Sequence, residues 1–402
     1  MTPSARLAAA IELLAAIETD QRPADAVANE FFRSRRFIGG GDRRAVSDRV
    51  WAALRAGRRL RWWLDGAGVE PTPRLIVGAS FLLDGGSMSA LQQAFSGGRF
   101  APPPLSAVEQ GALRSLAGHT LDHPGMPDAV RFEIPDWILP LLAERFGPAF
   151  LAETAALLTP APLDLRANLL KTTRDDARAA LAAQGIATVP TRWSPWGLRA
   201  PSRQSVTGTD AFRSGLIEIQ DEGSQLVALL ANARPGDRVA DLCAGAGGKT
   251  LAMAATMANR GHMLACDVSA ARLDSATKRL RRAGVHNVER LLLVPGDRGL
   301  KRRAGSFDRV LVDAPCTGTG TWRRNPDTRR RLTQADLAEL LPKQAAILDS
   351  ASRLVRSGGR LIYATCSLLV EENEGQVSSF VAHHRGFAVV PPGDAWPVGD
   401  QG

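Results

Sequence analysis

The second half of the chain alternates short, unbroken apolar runs with helical stretches, and this pattern narrows the possible folds more than any other feature. From about residue 219 onward the runs are "RVADLC", "HMLACD", "ERLLLVPGD", "FDRVLVDAP" and "RLIYATC". Between them lie helical segments such as "SAARLDSATKRLRRAG". Strands whose apolar residues run on rather than alternate are covered on both faces, so a doubly wound parallel α/β sheet is expected. Each run closes on a small or polar residue, and ligands of such sheets sit beyond the C-terminal strand ends.

The first half reads differently. Over residues 1–95 apolar positions recur every three or four residues, broken at "IGGGD" and "LDGAGVEPTP", which predicts helices. The opening "RLAAAIELLAAIE" has the apolar centre of a signal peptide, but Glu12 interrupts it. Leu7, Ile11, Leu14 and Glu18 fall at helical spacing, so an amphipathic core helix is expected. "APPPLS" over 101–106 is a turn or linker, and "IPDWILPLLAERFG" a short bridging helix closed by Gly147. Between about 163 and 218, "LDLRANLL", "ATVPTRWSP" and "GLIEIQ" read as strands around a helix, "TRDDARAALAAQG", stopped by Gly185. That is a small α+β module. The expected organisation is an all-α domain over 1–135, a linker helix plus α+β module over 136–218, and the parallel-sheet domain over 219–402.

The net charge is +9 and the basic residues cluster. Residues 31–63 hold ten arginines against Asp42 and Asp48, and residues 272–303 hold ten Lys or Arg against Asp274, Glu289 and Asp297. Residues 323–331 add five arginines against Asp327. Three clusters in one chain favour a polyanionic partner over solvated helix faces. No basic amphipathic helix with exposed aromatics suggests a lipid surface, and no run approaches the ~18 apolar residues that a bilayer requires. The four cysteines form no C-x-x-C pair and the six histidines show no H-E-x-x-H or similar ligand motif. No metal and no disulfide framework are therefore expected, in a reducing, cytoplasmic setting. A monomer is the expected state.

"VADLCAGAGGKT" is a strand running into a glycine turn and a helix, and spacing decides among nucleotide motifs. A phosphate-cradling P-loop needs glycine five residues before Gly248, where the chain has Cys243; the dinucleotide fingerprint needs a third glycine where it has Thr250. What remains is D-x-x-x-G-x-G, made by Asp241, Gly245 and Gly247. Asp267, twenty residues after Gly247, stands where a carboxylate accepts from ribose hydroxyls. Asp297 and Asp313 close the next two strands. Any one of these acids alone reads as a turn or cap residue. Four successive strands ending in aspartate point to a nucleoside-bearing cofactor, and the incomplete phosphate cradle favours S-adenosylmethionine over NAD or ATP.

"LVDAPC" and "LIYATC" end the fourth and fifth strands on Cys316 and Cys366. Adjacent parallel strands lie ~4.8 Å apart, so both thiols are expected to face the crevice of the cofactor's methyl group. A lone cysteine is usually a small buried hydrophobe, the reading applied to Cys266 and to Cys243. A pair beside a methyl donor suggests chemistry on a pyrimidine. A thiolate adding at carbon 6 makes carbon 5 enamine-like and able to attack a methyl. An acid near ring nitrogen 3, the role open to Asp313, disperses the developing charge. A second thiol can assist release.

With "QDEGSQLVALL", "DLCAGAGGKT", "LVDAPCTGTGTWRRNPD", "GGRLIYATCSLLVEENE" and the preceding "LRANLLK", residues 163–380 resemble the RNA cytosine-5 methyltransferases of the Sun/Nop type, bacterial ribosomal RNA small-subunit branch. The resemblance implies a class I, Rossmann-like methyltransferase sheet, S-adenosylmethionine, an RNA substrate (16S rRNA before tRNA) and a covalent adduct. It makes Cys366 the attacking nucleophile, Cys316 the residue that assists product release and Asp313 a contact to the base. Cys243, Ala244, Gly245, Ala246, Gly247, Gly248 and Lys249, with Asp267, Arg272, Asp297 and Asp313, hold the cofactor. It also implies that 163–218 is an RNA-recognition-like module, and that "RAVSDRVWAALRAGRRLRWWL" belongs to a NusB-like RNA-binding domain.

Two departures stand out. The family usually has alanine and proline where this chain has Gly245 and Ala246. After "FAVV" the chain reads "PPGDAWPVGDQG" where a closing strand hairpin is expected, so the sheet is expected to lack its last strand. Two other functions compete with the first: a DNA cytosine methyltransferase attacking through Cys316, and a non-catalytic RNA-binding assembly factor.

Overall fold

The computed structural model describes residues 1–201, 204–294 and 299–391. They form two compact units, one of residues 1–160 with 318–334, the other of 161–317 with the chain from 335 onward.

The first unit is helical. Its first helix, Pro3–Thr19, is capped by Thr2 and buries Leu7, Ala10, Leu13, Leu14 and Ile17. The buried stripe is thus centred on Leu13 and Leu14, while Ile11 is only partly covered and Glu18 pairs with Arg61 at 2.5 Å. Helices Gly40–Arg55, Gly57–Gly66 and Pro73–Leu83 add Val50, Leu60, Leu64, Ile76 and Leu82 to the same core. The helices Leu139–Phe146 and Phe150–Leu158, grouped by sequence with the α+β module, fall in this unit.

Residues 318–334 join this unit as a strap built on guanidinium groups. Asp327 accepts from the Ala24 N–H at 3.1 Å, and Arg331 donates to the carbonyls of Ile17 and Gln21 at 3.1 and 3.0 Å. Arg329 reaches the Leu157 carbonyl at 2.6 Å and Arg323 the Pro160 carbonyl at 3.0 Å. The Ile17 and Leu157 carbonyls lie in the last turns of their helices, the negative ends of the dipoles, and those of Gln21 and Pro160 just beyond. The third basic cluster therefore differs from its sequence reading, because most of its charge is spent inside the protein. The first cluster divides. Arg59 is buried against Glu133 at 3.1 Å and Arg58 pairs with Asp136 at 2.9 Å, whereas Arg33, Arg36 and Arg44 are exposed.

The second unit contains two sheets. The smaller has strands β1 (Leu163–Ala167), β2 (Val189–Pro190), β3 (Gly197–Ala200) and β4 (Ile217–Ile219), with helices Arg174–Ala182 and Asp210–Arg213 between them. All pairs are antiparallel, in the order β2-β3-β1-β4, giving the β-α-β-β-α-β arrangement of a ferredoxin-like fold. Strand β3 was not anticipated; "GLRA" is too short to show alternation.

The larger sheet is parallel, with β5 (Arg238–Asp241), β6 (His262–Asp267), β7 (Val288–Leu292), β8 (Phe307–Asp313) and β9 (Val355–Ala364) in the order β7-β6-β5-β8-β9. All five expected strands are present. The order reverses between β5 and β8, and ligands of open α/β sheets bind at such a switch point. The expected shortfall of a last strand falls after "FAVV", where residues 392–402 lie outside those described. A polar network fixes the small sheet to the helix Ala270–Ala283. Glu218 accepts from Arg282 at 2.6 Å, buried Arg166 donates to Gln220 at 2.6 Å, and Asn168 bridges the carbonyls of Gly215 and Ala283 at 2.8 Å each. Among the described residues, no helix is long and apolar enough to cross a membrane and no side-chain cluster could hold a metal.

Candidate active site

The glycine turn follows β5, the central strand. Gly245 and Gly247 have φ of 55° and 79°, the left-handed region that side chains disfavour. Gly247 also has no room, since a Cβ there would approach the Cβ of Ala276 to 3.2 Å. The turn is pinned from three sides: the Ala244 N–H donates to the Cys266 carbonyl at 2.9 Å, the Gly245 N–H to Asp267 at 2.9 Å, and Arg279 to the Ala246 carbonyl at 2.8 Å. The helix Gly248–Thr256 starts immediately after it and carries Lys249 in its first turn.

The aspartates at the strand ends have distinct surroundings. Asp241 is 1% exposed and burial raises its carboxyl to about 6, although the Thr250 hydroxyl donates to it at 2.7 Å. Its other oxygen is buried with no partner. Asp267 accepts main-chain N–H groups of Gly245 and Ser269, at 2.9 and 2.8 Å, on different oxygens. Asp313 is bound by the Lys249 ammonium at 2.5 Å. Arg272 is exposed on the first turn of its helix, and Asp297 lies outside the described residues.

Strands β8 and β9 pair Asp313 with Ala364, so the loops bearing Cys316 and Cys366 leave the sheet side by side. Their sulfurs are 3.3 Å apart. Cys366 is exposed and Cys316 half-buried. The hydrogen bond from Cys316, helped by the Lys249 charge, outweighs burial and the Asp313 charge and draws the Cys366 thiol below the ordinary cysteine range. Burial pushes Cys243 and Cys266 the other way, to about 12.

The structure therefore brings together Cys316, Cys366, Asp313 and Lys249 in one cluster. Sequence reasoning missed three residues that shape it. Arg279 binds the glycine turn, while Glu372 and Asn373 bind the cysteine loops: the Thr317 N–H donates to Glu372 at 2.9 Å, and Asn373 donates to the Ser367 carbonyl at 3.0 Å. The run "VEENE" offered one weak signal, a carboxylate beside an amide just after the second thiol loop.

A switch-point glycine turn over a parallel sheet, with two thiols meeting at neighbouring strand ends, defines a class I methyltransferase of the paired-cysteine kind. Residues 228–395 match the profile of the 16S rRNA methyltransferase RsmB/F family, and residues 134–207 that of the ferredoxin-like domain of RsmF/B-like methyltransferases. The chain is 35% identical over 298 residues to the probable ribosomal RNA small subunit methyltransferase B of Synechocystis, covering 71% of this chain and 66% of that protein. It is 32% identical to ribosomal RNA small subunit methyltransferase B of Serratia proteamaculans (74% and 70% covered). It is 34% identical to the human 28S rRNA (cytosine(4447)-C(5))-methyltransferase, with 66% of this chain and 33% of that protein covered. The solved structure of PH0851 superposes with a TM-score of 0.78 at 25% identity, over 96% of this chain and 90% of that one. The chain belongs to the RsmB/F family of ribosomal RNA methyltransferases. It spans about two thirds of the length of the bacterial relatives and a third of the human one.

Proposed function

We propose that the protein methylates carbon 5 of a cytosine in ribosomal RNA, 16S rRNA first among candidates, using S-adenosylmethionine and a covalent bond between Cys366 and carbon 6 of the base. One observation carries this reading: the 3.3 Å approach of Cys316 and Cys366 beside the Lys249–Asp313 ion pair. The names of the relatives support RNA and carbon 5 as the targets.

The residues fit the cofactor. Glycines at positive φ let the main chain of 243–249 lie close to a ligand, and the unpartnered buried oxygen of Asp241 awaits a donor. Asp241, Asp267 and that turn would hold it; Arg272 and Asp297 join them by family likeness. Bound there, it supplies an electrophilic methyl.

The chain's own groups do the rest. The Cys366 thiolate adds to carbon 6 and the displaced electron pair enriches carbon 5. As the thiolate adds, Asp313 relays a proton from the Lys249 ammonium to ring nitrogen 3, neutralising the charge that develops there, and the proton returns when the sulfur departs. Once carbon 5 is substituted, its proton must leave, the 5,6 double bond re-forms and the Cys366 sulfur departs. Cys316, which loses its own proton to solvent once Cys366 is bonded to carbon 6, acts as the thiolate base that takes the carbon 5 proton. Among the described residues of the first two clusters, the exposed Arg33, Arg36 and Arg44, and Arg272, Lys278, Arg281, Lys301 and Arg302, are placed to meet phosphates.

The test is transfer of labelled methyl to ribosomal RNA by the full chain. Cys366→Ala should abolish transfer, and Cys316→Ala should trap a protein–RNA adduct stable to denaturation. Full activity in Cys366→Ala, with loss in Cys316→Ala and no adduct, would reverse the two roles. Calorimetry showing no binding of S-adenosylmethionine would reject the enzymatic reading.

A further inference from the structure

Two adjacent residues hold the flanks of the two thiols. Glu372 is fully buried, and its carboxylate accepts the Thr317 N–H at 2.9 Å, the Thr317 hydroxyl and the Gln344 amide at 2.9 Å. Gln344, itself buried, also donates to the Pro315 carbonyl at 3.0 Å. Cys316 is therefore held between anchored neighbours on both sides. Asn373 does the same for Cys366. Its amide donates to the carbonyls of Ser367 and Leu369 at 3.0 and 2.9 Å, and its oxygen accepts the Thr365 hydroxyl at 2.6 Å. The Tyr363 hydroxyl, from β9, binds the carbonyl of Glu372 at 2.8 Å and ties the clamp to the sheet.

A buried carboxylate is costly unless its oxygens are satisfied, and an apolar residue would fill the same space without that cost. What the acid adds is direction, since it accepts both donors of Thr317, the residue after Cys316. The Asn373 amide has the complementary need, two donors for two carbonyls and one acceptor for a hydroxyl. Swapping the two residue types would leave both loops with unmatched groups.

We infer that Glu372 and Asn373 are positioning residues with separate duties. Glu372 sets Cys316 for product release, and Asn373 sets Cys366 for attack. The inference rests on the cysteine roles proposed above. It predicts opposite phenotypes for neighbouring substitutions, which a purely structural role would not produce.

The experiment measures, on the full chain with ribosomal RNA and S-adenosylmethionine, methyl turnover, the rate of formation and amount of covalent adduct surviving denaturation, and the thermal midpoint. Glu372→Ala should behave as a weak Cys316→Ala, with adduct accumulating on the order of 10-fold above wild type as turnover falls. Glu372→Gln should restore turnover, because the amide oxygen still accepts the Thr317 N–H and the Thr317 hydroxyl can rotate to accept from the new NH₂. Asn373→Asp replaces two donors with repulsion and should slow adduct formation on the order of 10- to 100-fold without accumulation. An unfolded variant forms no adduct at all, so accumulation in Glu372→Ala cannot come from lost stability. If Cys316→Ala traps adduct but Glu372→Ala does not, or if Asn373→Asp traps it too, the division of duties is wrong. If Cys316→Ala itself traps none, the proposed release step fails instead.

Discussion

The four cysteines all lie at or just beyond the C-terminal ends of strands in one sheet, yet the two pairs have opposite surroundings. Cys266 is inside β6 and fully buried, and Cys243 follows β5; burial, reinforced by the charges of neighbouring aspartates, raises both to about 12. Cys366 is exposed, has a thiol donor at 3.3 Å and feels the Lys249 ammonium, and its pKa falls. Strand-end placement alone therefore does not make a thiol reactive. Access, a donor and a nearby cation do, because the thiolate is the nucleophile.

The largest effect should separate the pairs outright. Cys366→Ala should lower methyl transfer by at least on the order of 10³-fold, the scale of losing a covalent catalyst, while Cys266→Ala should leave turnover within about threefold. Activity assays on both variants break the comparison if Cys266→Ala is equally inactive. Next, Lys249→Met removes the cation beside Asp313 and Cys366 and should cost on the order of 10-fold at neutral pH.

The pH profile sharpens the same point. On the proposed mechanism adduct formation needs the thiolate, so its rate should rise with pH and level off, with a midpoint below about 8.5, the ordinary thiol value. Cys316→Ala removes the donor that lowers the Cys366 pKa, so that midpoint should move up. Single-turnover kinetics across the range measures it, and an unchanged midpoint would mean that Cys316 does not tune its neighbour.

Much of this was legible in the sequence, for identifiable reasons. The five parallel strands showed as unbroken apolar runs because both faces of the sheet are covered, and the thiols showed as two Cys-ending runs. The short β3 did not show, since four residues carry no periodicity. The fate of the arginines over 323–331 was hidden too, because charge in sequence does not reveal whether a guanidinium meets solvent or a helix C-terminus. Glu372 escaped for a related reason: its partner Thr317 becomes a neighbour only when β8 and β9 pair, whereas Asn373 binds Thr365, Ser367 and Leu369 of its own loop, and that loop's conformation does not show in the residue pattern.

The smallest expected effect tests which cause separates the thiol pairs. The folded Asp241 carboxyl titrates near 6, against about 3.9 in an unfolded chain. A raised carboxyl favours the protonated fold, so stability is greatest below the unfolded value and is lost as pH rises toward 6. Asp241→Asn removes that loss and should stabilise the protein at pH 7.5 by up to about 2 to 3 kcal/mol, with the gain vanishing near pH 4. The same substitution withdraws one of the negative charges that raise Cys243 and Cys266. Burial is the larger cause for both, so both should stay resistant to iodoacetamide while Cys366 is alkylated quickly. If Cys243 instead reacts as fast as Cys366 in Asp241→Asn, charge rather than access divides the two pairs, and the aspartate at the end of β5 is what keeps the cofactor-side thiol silent.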